Sequence, residues 1–166
     1  EANPWNLEKS QKSKQLSALK KNKVAANHYY DDASRNENQE ILVRAVRDCS
    51  RPTVKQCIET GADVNLPILN ENGTTLLMLA TDVFCQRYLL LGGADKEAQD
   101  NDGRTALFYK LKLDGFILTE LLEAGADVNH KDKLGQTPVY WAIRYNKTGF
   151  LEKLIKFGAD LTVVDA

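Results

Sequence analysis
Three cysteines, two histidines and four recurring aspartates are the residues of this chain with the types to do chemistry. A zinc site or a thiol redox centre needs cysteines, or cysteines and histidines, grouped a few positions apart. Cys49, Cys57 and Cys85 form no Cys-x-x-Cys pair, and no histidine stands near them at ligand spacing. Their odd number also argues against a full disulfide framework, so they read as small core residues. His28 lies far upstream and His130 stands beside Lys131, each without an acid–base partner to converge on. The glycines do not form a phosphate-cradling loop. Asp63, Asp95, Asp127 and Asp160 recur at a fixed interval, which marks them as structural. The chain therefore reads as a non-enzyme with no cofactor and no metal.

The fixed interval belongs to the elements that would carry such residues. Gly-Ala-Asp occurs at 61–63, 93–95, 125–127 and 158–160, at spacings of 32, 32 and 33. An apolar pair precedes each glycine: Cys57-Ile58, Leu89-Leu90, Leu121-Leu122 and Leu154-Ile155. A glycine at that point suits the end of a helix, where positive φ is needed. Each pair is then expected in the last turn of a helix, facing inward. A second register agrees: "GTTLLMLA" at 73–80, "GRTALFYK" at 103–110 and "GQTPVYWA" at 135–142. Helices are expected to start after Thr75, Thr105 and Thr137, with the threonine as N-cap and Pro138 at the first helical position. The first unit, "QEILVRAV" at 39–46, matches through Leu42 and Ala45.

Bulk properties exclude several classes. The chain has 166 residues, 43% hydrophobic and 27% charged, which fits one ordinary domain. No apolar run approaches the roughly 20 residues of a spanning helix. A net charge of −1 gives no global field for nucleic acid or an anionic membrane. The chain starts at Glu1, which fits either a trimmed start or a removed signal peptide.

These motifs resemble the ankyrin repeat, whose pattern is Gly-x-Thr-Pro-Leu-His-x-Ala, then Leu-Leu, then Gly-Ala-Asp-Val-Asn. The resemblance covers roughly residues 37–166 as four units, approximately 37–67, 68–99, 100–131 and 132–164. It implies an all-α solenoid of helix-turn-helix units with projecting β-hairpin fingers. The pattern's His is Met78, Phe108 and Tyr140 here, and its small Ala is Lys110 in the third unit. From the small position to the glycine there are 16 residues in units one and four, but 13 in unit two and 15 in unit three. The middle of the stack is expected to be irregular. The first finger also has two extra residues, with Leu66, Pro67, Ile68 and Leu69 near its tip.

The resemblance implies that a partner binds the concave face of finger tips and first-helix ends. Carried over by position, the candidates on the fingers are Leu66, Ile68, Leu69, Glu71, Asn72, Thr74, Asn101, Asp102, Arg104, Lys133, Leu134 and Gln136. At the helix ends they are Lys112, Leu113, Arg144 and Tyr145, with Arg47, Asp48, Asp82 and Val83. Trp141 and Tyr140 are expected to pack between units. Residues 1–36, with Trp5, Leu7, Leu16, Leu19, Tyr29, Tyr30 and several lysines, read as an extension that caps the first unit or links to it. Leu66–Leu69 then either pack on that extension or grip a partner. The function expected is protein binding: an inhibitor or immunity-type protein that blocks a partner enzyme, or an adaptor segment of a larger protein. The chain alone reads as a monomer without nucleic-acid binding or membrane insertion. It is cytoplasmic by the family's habit, or exported to the periplasm if Glu1 is a processed start.

Overall fold
A computed structural model describes residues 32–68, 71–113 and 115–162. Eight α-helices are found among them: α1 (Asp32–Arg47), α2 (Arg51–Glu59), α3 (Leu76–Leu79), α4 (Val83–Leu91), α5 (Ala106–Tyr109), α6 (Gly115–Glu123), α7 (Pro138–Arg144) and α8 (Thr148–Lys156). One 3-10 turn, Lys110–Lys112, follows α5. The odd-numbered helices α1, α3, α5 and α7 pack on one another in sequence, and α2, α4, α6 and α8 form a second layer behind them. Helix α1 reaches back to Asp32, across the position expected to separate an extension from the repeats. Residues 1–31 lie outside the described residues, so the expected cap does too.

The threonines and glycines stand at the helix ends as the two registers require. Thr75, Thr105 and Thr137 are the N-cap residues of α3, α5 and α7, with extended backbone. Gly61, Gly93, Gly125 and Gly158 have φ of 94°, 90°, 83° and 86°, a region that costs a side chain 1–2 kcal/mol or so and glycine nothing. Cys57, Leu89, Leu121 and Leu154 are buried in the core, as is Leu122. Ile155 departs from the inward expectation and is 46% exposed, because no unit follows it among the described residues. The four recurring aspartates are structural: each accepts the N–H two positions on, from Asn65, Glu97, Asn129 and Thr162.

Those turns also join the units. Asn65 Oδ1 accepts from Asp95 N at 2.7 Å, and Asn129 Oδ1 from Asp160 N at 2.7 Å. In the middle, Glu97 does the same with a longer arm, accepting from Asp127 N at 2.9 Å. Ion pairs tie the helices across units: Arg51 to Asp82, and Arg87 to Glu120.

The fingers differ from the expected β-hairpins. No strand is found among the described residues. Each finger closes with a wide bond, Ile68 N to Thr74 O, Asp100 N to Arg104 O and Asp132 N to Gln136 O, around tighter turn bonds such as Gly103 N to Asp100 O and Gly135 N to Asp132 O. Single bonds also link successive tips, Asn101 N to Asn72 O and Lys133 N to Asp102 O. Bonds confined to one turn in each finger do not build a ladder. At Gly103 a Cβ would lie 2.9 Å from Lys133 N, so the fingers approach too closely for any other residue.

The irregular middle has a specific form. In units one and four a turn separates the paired helices, with Cys49 and Asn146 at φ of 53° and 52°. In unit two that turn is missing. Helix α3 has four residues and Ala80 leaves in extended direction, ψ 116°. Three deleted residues amount to nearly one helical turn. The carbonyls of Leu77, Met78 and Ala80 would have accepted N–H groups of that turn. Instead, the ammonium of Lys110 from the next unit donates to all three, at 2.7 Å to Leu77 O and 3.2 Å to Met78 O. Lys110 is fully buried. It occupies the position of Ala45, Ala80 and Ala142 in the other units and fills the space that the deletion left.

Candidate functional site
The site is built from two fingers and the helices that follow them. In each, a buried aspartate organises the loop. Asp100 Oδ1 accepts from Asp102 N and Arg104 N, both at 2.8 Å. Asp132 Oδ1 accepts from Leu134 N and Gln136 N, both at 2.9 Å. The second oxygen of each reaches nine residues on, to the first helix of its unit. Asp100 Oδ2 accepts from Tyr109 Oη at 2.7 Å, and Asp132 Oδ2 from Trp141 Nε1 at 3.3 Å. Finger and helix aromatic are thereby held at a fixed distance.

Arg104 stands between the two units. Its Nε donates to Asp100 Oδ2 at 3.0 Å and its Nη2 to Asp102. Its guanidinium carbon lies 6.0 Å from the ring centres of both Tyr109 and Trp141, within the range of cation–π attraction. Burial pushes the Asp100 carboxyl up, but the Tyr109 hydroxyl, the amides of Arg104 and Asp102 and the Arg104 charge outweigh it and hold it below the usual range. Burial and then the bond to Asp100 push the Tyr109 phenol up, against a hydrogen bond from Thr74 that lowers it. The network is thus ionised at the aspartate and protonated at the tyrosine near neutral pH.

Around it lies a groove of about 300 Å³, lined by Arg104, Phe108, Tyr109, Leu111, Trp141, Tyr145 and Lys147. Trp141 and Tyr145 pack with ring centres 5.5 Å apart, and Phe108 meets Trp141 edge-on at 6.4 Å. Trp141 therefore packs between units, as expected, while one side of it faces the groove. Trp, Tyr and Arg are the residue types enriched where binding energy concentrates.

The other sequence candidates scatter. Leu66 is 46% exposed, but Ile68 is half-buried against the core, and Leu69 lies outside the described residues. Ile68 takes the place that Asp100 and Asp132 take in the other fingers, and five residues rather than three separate the closing pair there. Glu71 is bound to Arg47, and Asn72 donates to Asp102 at 2.9 Å. Asn101 and Lys133 are exposed at the tips, Leu134 is 72% exposed, and Gln136 closes its finger. Arg144 donates to Tyr140 Oη at 3.0 Å. The side chain of Lys112 lies outside the described residues, and Leu113 borders a second, shallower groove. Of the candidates whose side chains are described, Arg104 and Tyr145 enter the aromatic groove. Sequence reading missed Phe108, Tyr109, Leu111 and Lys147 as site residues and assigned Trp141 to packing alone; the repeated spacing Asp100…Tyr109 and Asp132…Trp141 was the available signal.

The residues suited to other chemistry are occupied elsewhere. His130 shares a hydrogen bond with Gly103 O at 2.9 Å and packs edge-on against Phe108. Cys57 and Cys85 are buried, and burial with the neighbouring Asp82 pushes the Cys85 thiol up to about 12, far from a reactive thiolate. Among the described residues no group of His, Cys, Asp and Glu is placed to hold a metal, and no helix is long and apolar enough to cross a membrane.

The family model for ankyrin repeats, three copies, matches residues 82–165, half of the chain. The chain belongs to the ankyrin-repeat family. Membership makes the stack an ankyrin protein-binding module, of a family that is in general non-catalytic. The match covers the second helix of unit two and units three and four, which build the aromatic groove, and α1, α2 and α3 extend the same two-layer stack upstream of it. A search among curated proteins found no match to the chain.

Proposed function
We propose that this ankyrin module binds its partner protein chiefly through the aromatic groove between units three and four, with the first finger as a second contact. The observation that carries the reading is the cluster of Tyr109, Trp141 and Tyr145 around Arg104, preorganised by Asp100 and Asp132. Rigid aromatic and Arg side chains lose little freedom on binding, so they anchor interfaces at low entropic cost. Leu66, 46% exposed beside an exposed Pro67 at the enlarged finger, supports a partner with a cleft for an apolar tip. That favours an inhibitor or immunity-type role, in which the module blocks a partner enzyme, over an adaptor role. Affinity capture with the full chain, followed by assay of the captured protein with and without it, tests this. Trp141→Ala is expected to weaken the captured complex by ~2–4 kcal/mol, read by titration. Unchanged affinity would remove the groove from the interface, and a captured enzyme of undiminished activity would remove the inhibitor role.

A further inference from the structure
The two ends of the stack are open in complementary ways. On the outer face of unit four, positions that are buried inside the stack lie exposed. Ile143 holds the place of buried Val46 and Leu111 and is 62% exposed. Leu161 holds the place of buried Val64 and Val128 and is 54% exposed. Ile155, where unit three has buried Leu122, is the third. A repeat that ends a stack turns a polar face outward, and this face is of the interior kind. The last finger keeps its receiving geometry too. A Cβ at Gly73 or Gly103 would meet Asn101 or Lys133 of the next finger at 2.9 Å, whereas Gly135 has nothing within 4 Å. The carbonyls of Asn72 and Asp102 accept from that next finger, and Leu134 O holds the same place with no finger following among the described residues.

Unit one shows the other half. Ile41 holds the place of buried Leu76, Ala106 and Pro138 and is 42% exposed. Asp95 N, Asp127 N and Asp160 N each donate to a side chain of the preceding unit. Their counterpart Asp63 N has no such acceptor among the described residues. In register, Thr162 is what unit four would offer it, in place of Asn65, Glu97 and Asn129. The second helices match as well. Arg87 pairs with Glu120, and Thr119 with Lys153, across successive units. The same step taken from unit four to unit one sets exposed Glu152 opposite exposed Gln56, a carboxylate facing an amide donor.

We propose that a second copy of this chain stacks head-to-tail on the first, with unit one of one copy covering the outer face of unit four of the other. The junction continues the unit-to-unit interface already made within the chain, aliphatic at its centre and hydrogen-bonded at finger and turn. It is heterologous, so each added copy presents a new unit-four face and the assembly stays open-ended rather than closing as a pair. The inference runs against the monomer expected from sequence, and it does not rest on the aromatic groove as the partner site.

The test is sedimentation of the full chain over a concentration series. The average mass is expected to rise with concentration above that of one chain, without a plateau at two. Ile143→Glu and Ile41→Glu should each weaken self-association by about tenfold or more, because a carboxylate would be buried in an apolar contact. Mixing the two variants is the decisive arm. The intact unit one of the Ile143→Glu chain should stack on the intact unit four of the Ile41→Glu chain, and the mixture should stop at pairs. Thermal unfolding checks that both variants are folded; Leu161→Glu and Ile41→Ser serve in their places if they are not. A single-chain mass at every concentration up to millimolar would overturn the proposal. So would association that survives either variant, or a mixture that does not pair. Loss on Ile143→Glu with none on Ile41→Glu would mark a closed back-to-back pair and overturn it equally.

Discussion
Unit four keeps its full length and a small residue at Ala142, and its helix α7 runs seven residues into a turn around Asn146. Unit two lacks three residues, its helix α3 stops after four, and a lysine from unit three fills the gap. The two nevertheless sit in the same two-layer stack. A repeat can therefore lose a helical turn if a neighbour returns both the volume and the hydrogen-bond donors. Lys110 supplies both with one side chain: its stem fills the space and its ammonium replaces three backbone N–H groups. The departure from the family pattern at Lys110 and the short spacing in unit two are thus one event seen at two places.

The largest expected effect follows from restoring the family residue. Lys110→Ala should cost ~3–5 kcal/mol in denaturant unfolding, because it opens a cavity and orphans three buried carbonyls. The reverse exchange in unit four, Ala142→Lys, has no such carbonyls to meet and should also destabilise. A neutral Lys110→Ala would mean that α3 is not held from its C-terminal end. Lys110→Met separates the two contributions. It keeps most of the volume and removes the donors, so a loss of ~1–3 kcal/mol is expected.

Titration sharpens the same point. Burial pulls the Lys110 pKa from 10.5 down to about 7, against the three carbonyls, which favour the ammonium. The unfolded chain then binds more protons than the folded one between these values, so stability rises with pH across that window. Below pH 7 the cost of burying the charge is fully present; above 10.5 it is gone. The slope contributed is at most ~1.4 kcal/mol per pH unit. It should appear as the difference between the unfolding curves of the wild-type chain and Lys110→Met. A constant difference from pH 7 to 10 would show that Lys110 does not titrate in this range.

The smallest effect compares the N-caps. Thr137 accepts from Tyr140 N at 3.3 Å, whereas Thr105 makes no such bond. Thr137→Ala should therefore cost ~1 kcal/mol more than Thr105→Ala. Equal costs would mean that the cap of the regular unit contributes nothing beyond its methyl group.

The first finger carries a related lesson. Its apolar tip raised the choice between an internal contact and a partner grip, and the side chains divide. Ile68 replaces the finger's organising aspartate and packs inward, which a one-dimensional sequence pattern cannot reveal because the position is polar in the other units. Leu66, two residues away, stays exposed.

The sequence by itself determined the units, their number, the glycines at helix ends, the threonine caps and the structural aspartates. All of these rest on local backbone conformation or on a period, and both are written along the chain. It also marked unit two as short. Only the tertiary structure decided what happens there, because Lys110 and the carbonyls of Leu77, Met78 and Ala80 are some thirty residues apart and meet only when units stack. The aromatic groove has the same origin. Tyr109 and Trp141 belong to different units, and Arg104 comes between them only once Asp100 and Asp132 have fixed both fingers against their helices. Spacing within a repeat is local, but the surface between repeats depends on how far each helix extends, and a deletion in one unit changes what its neighbour must supply.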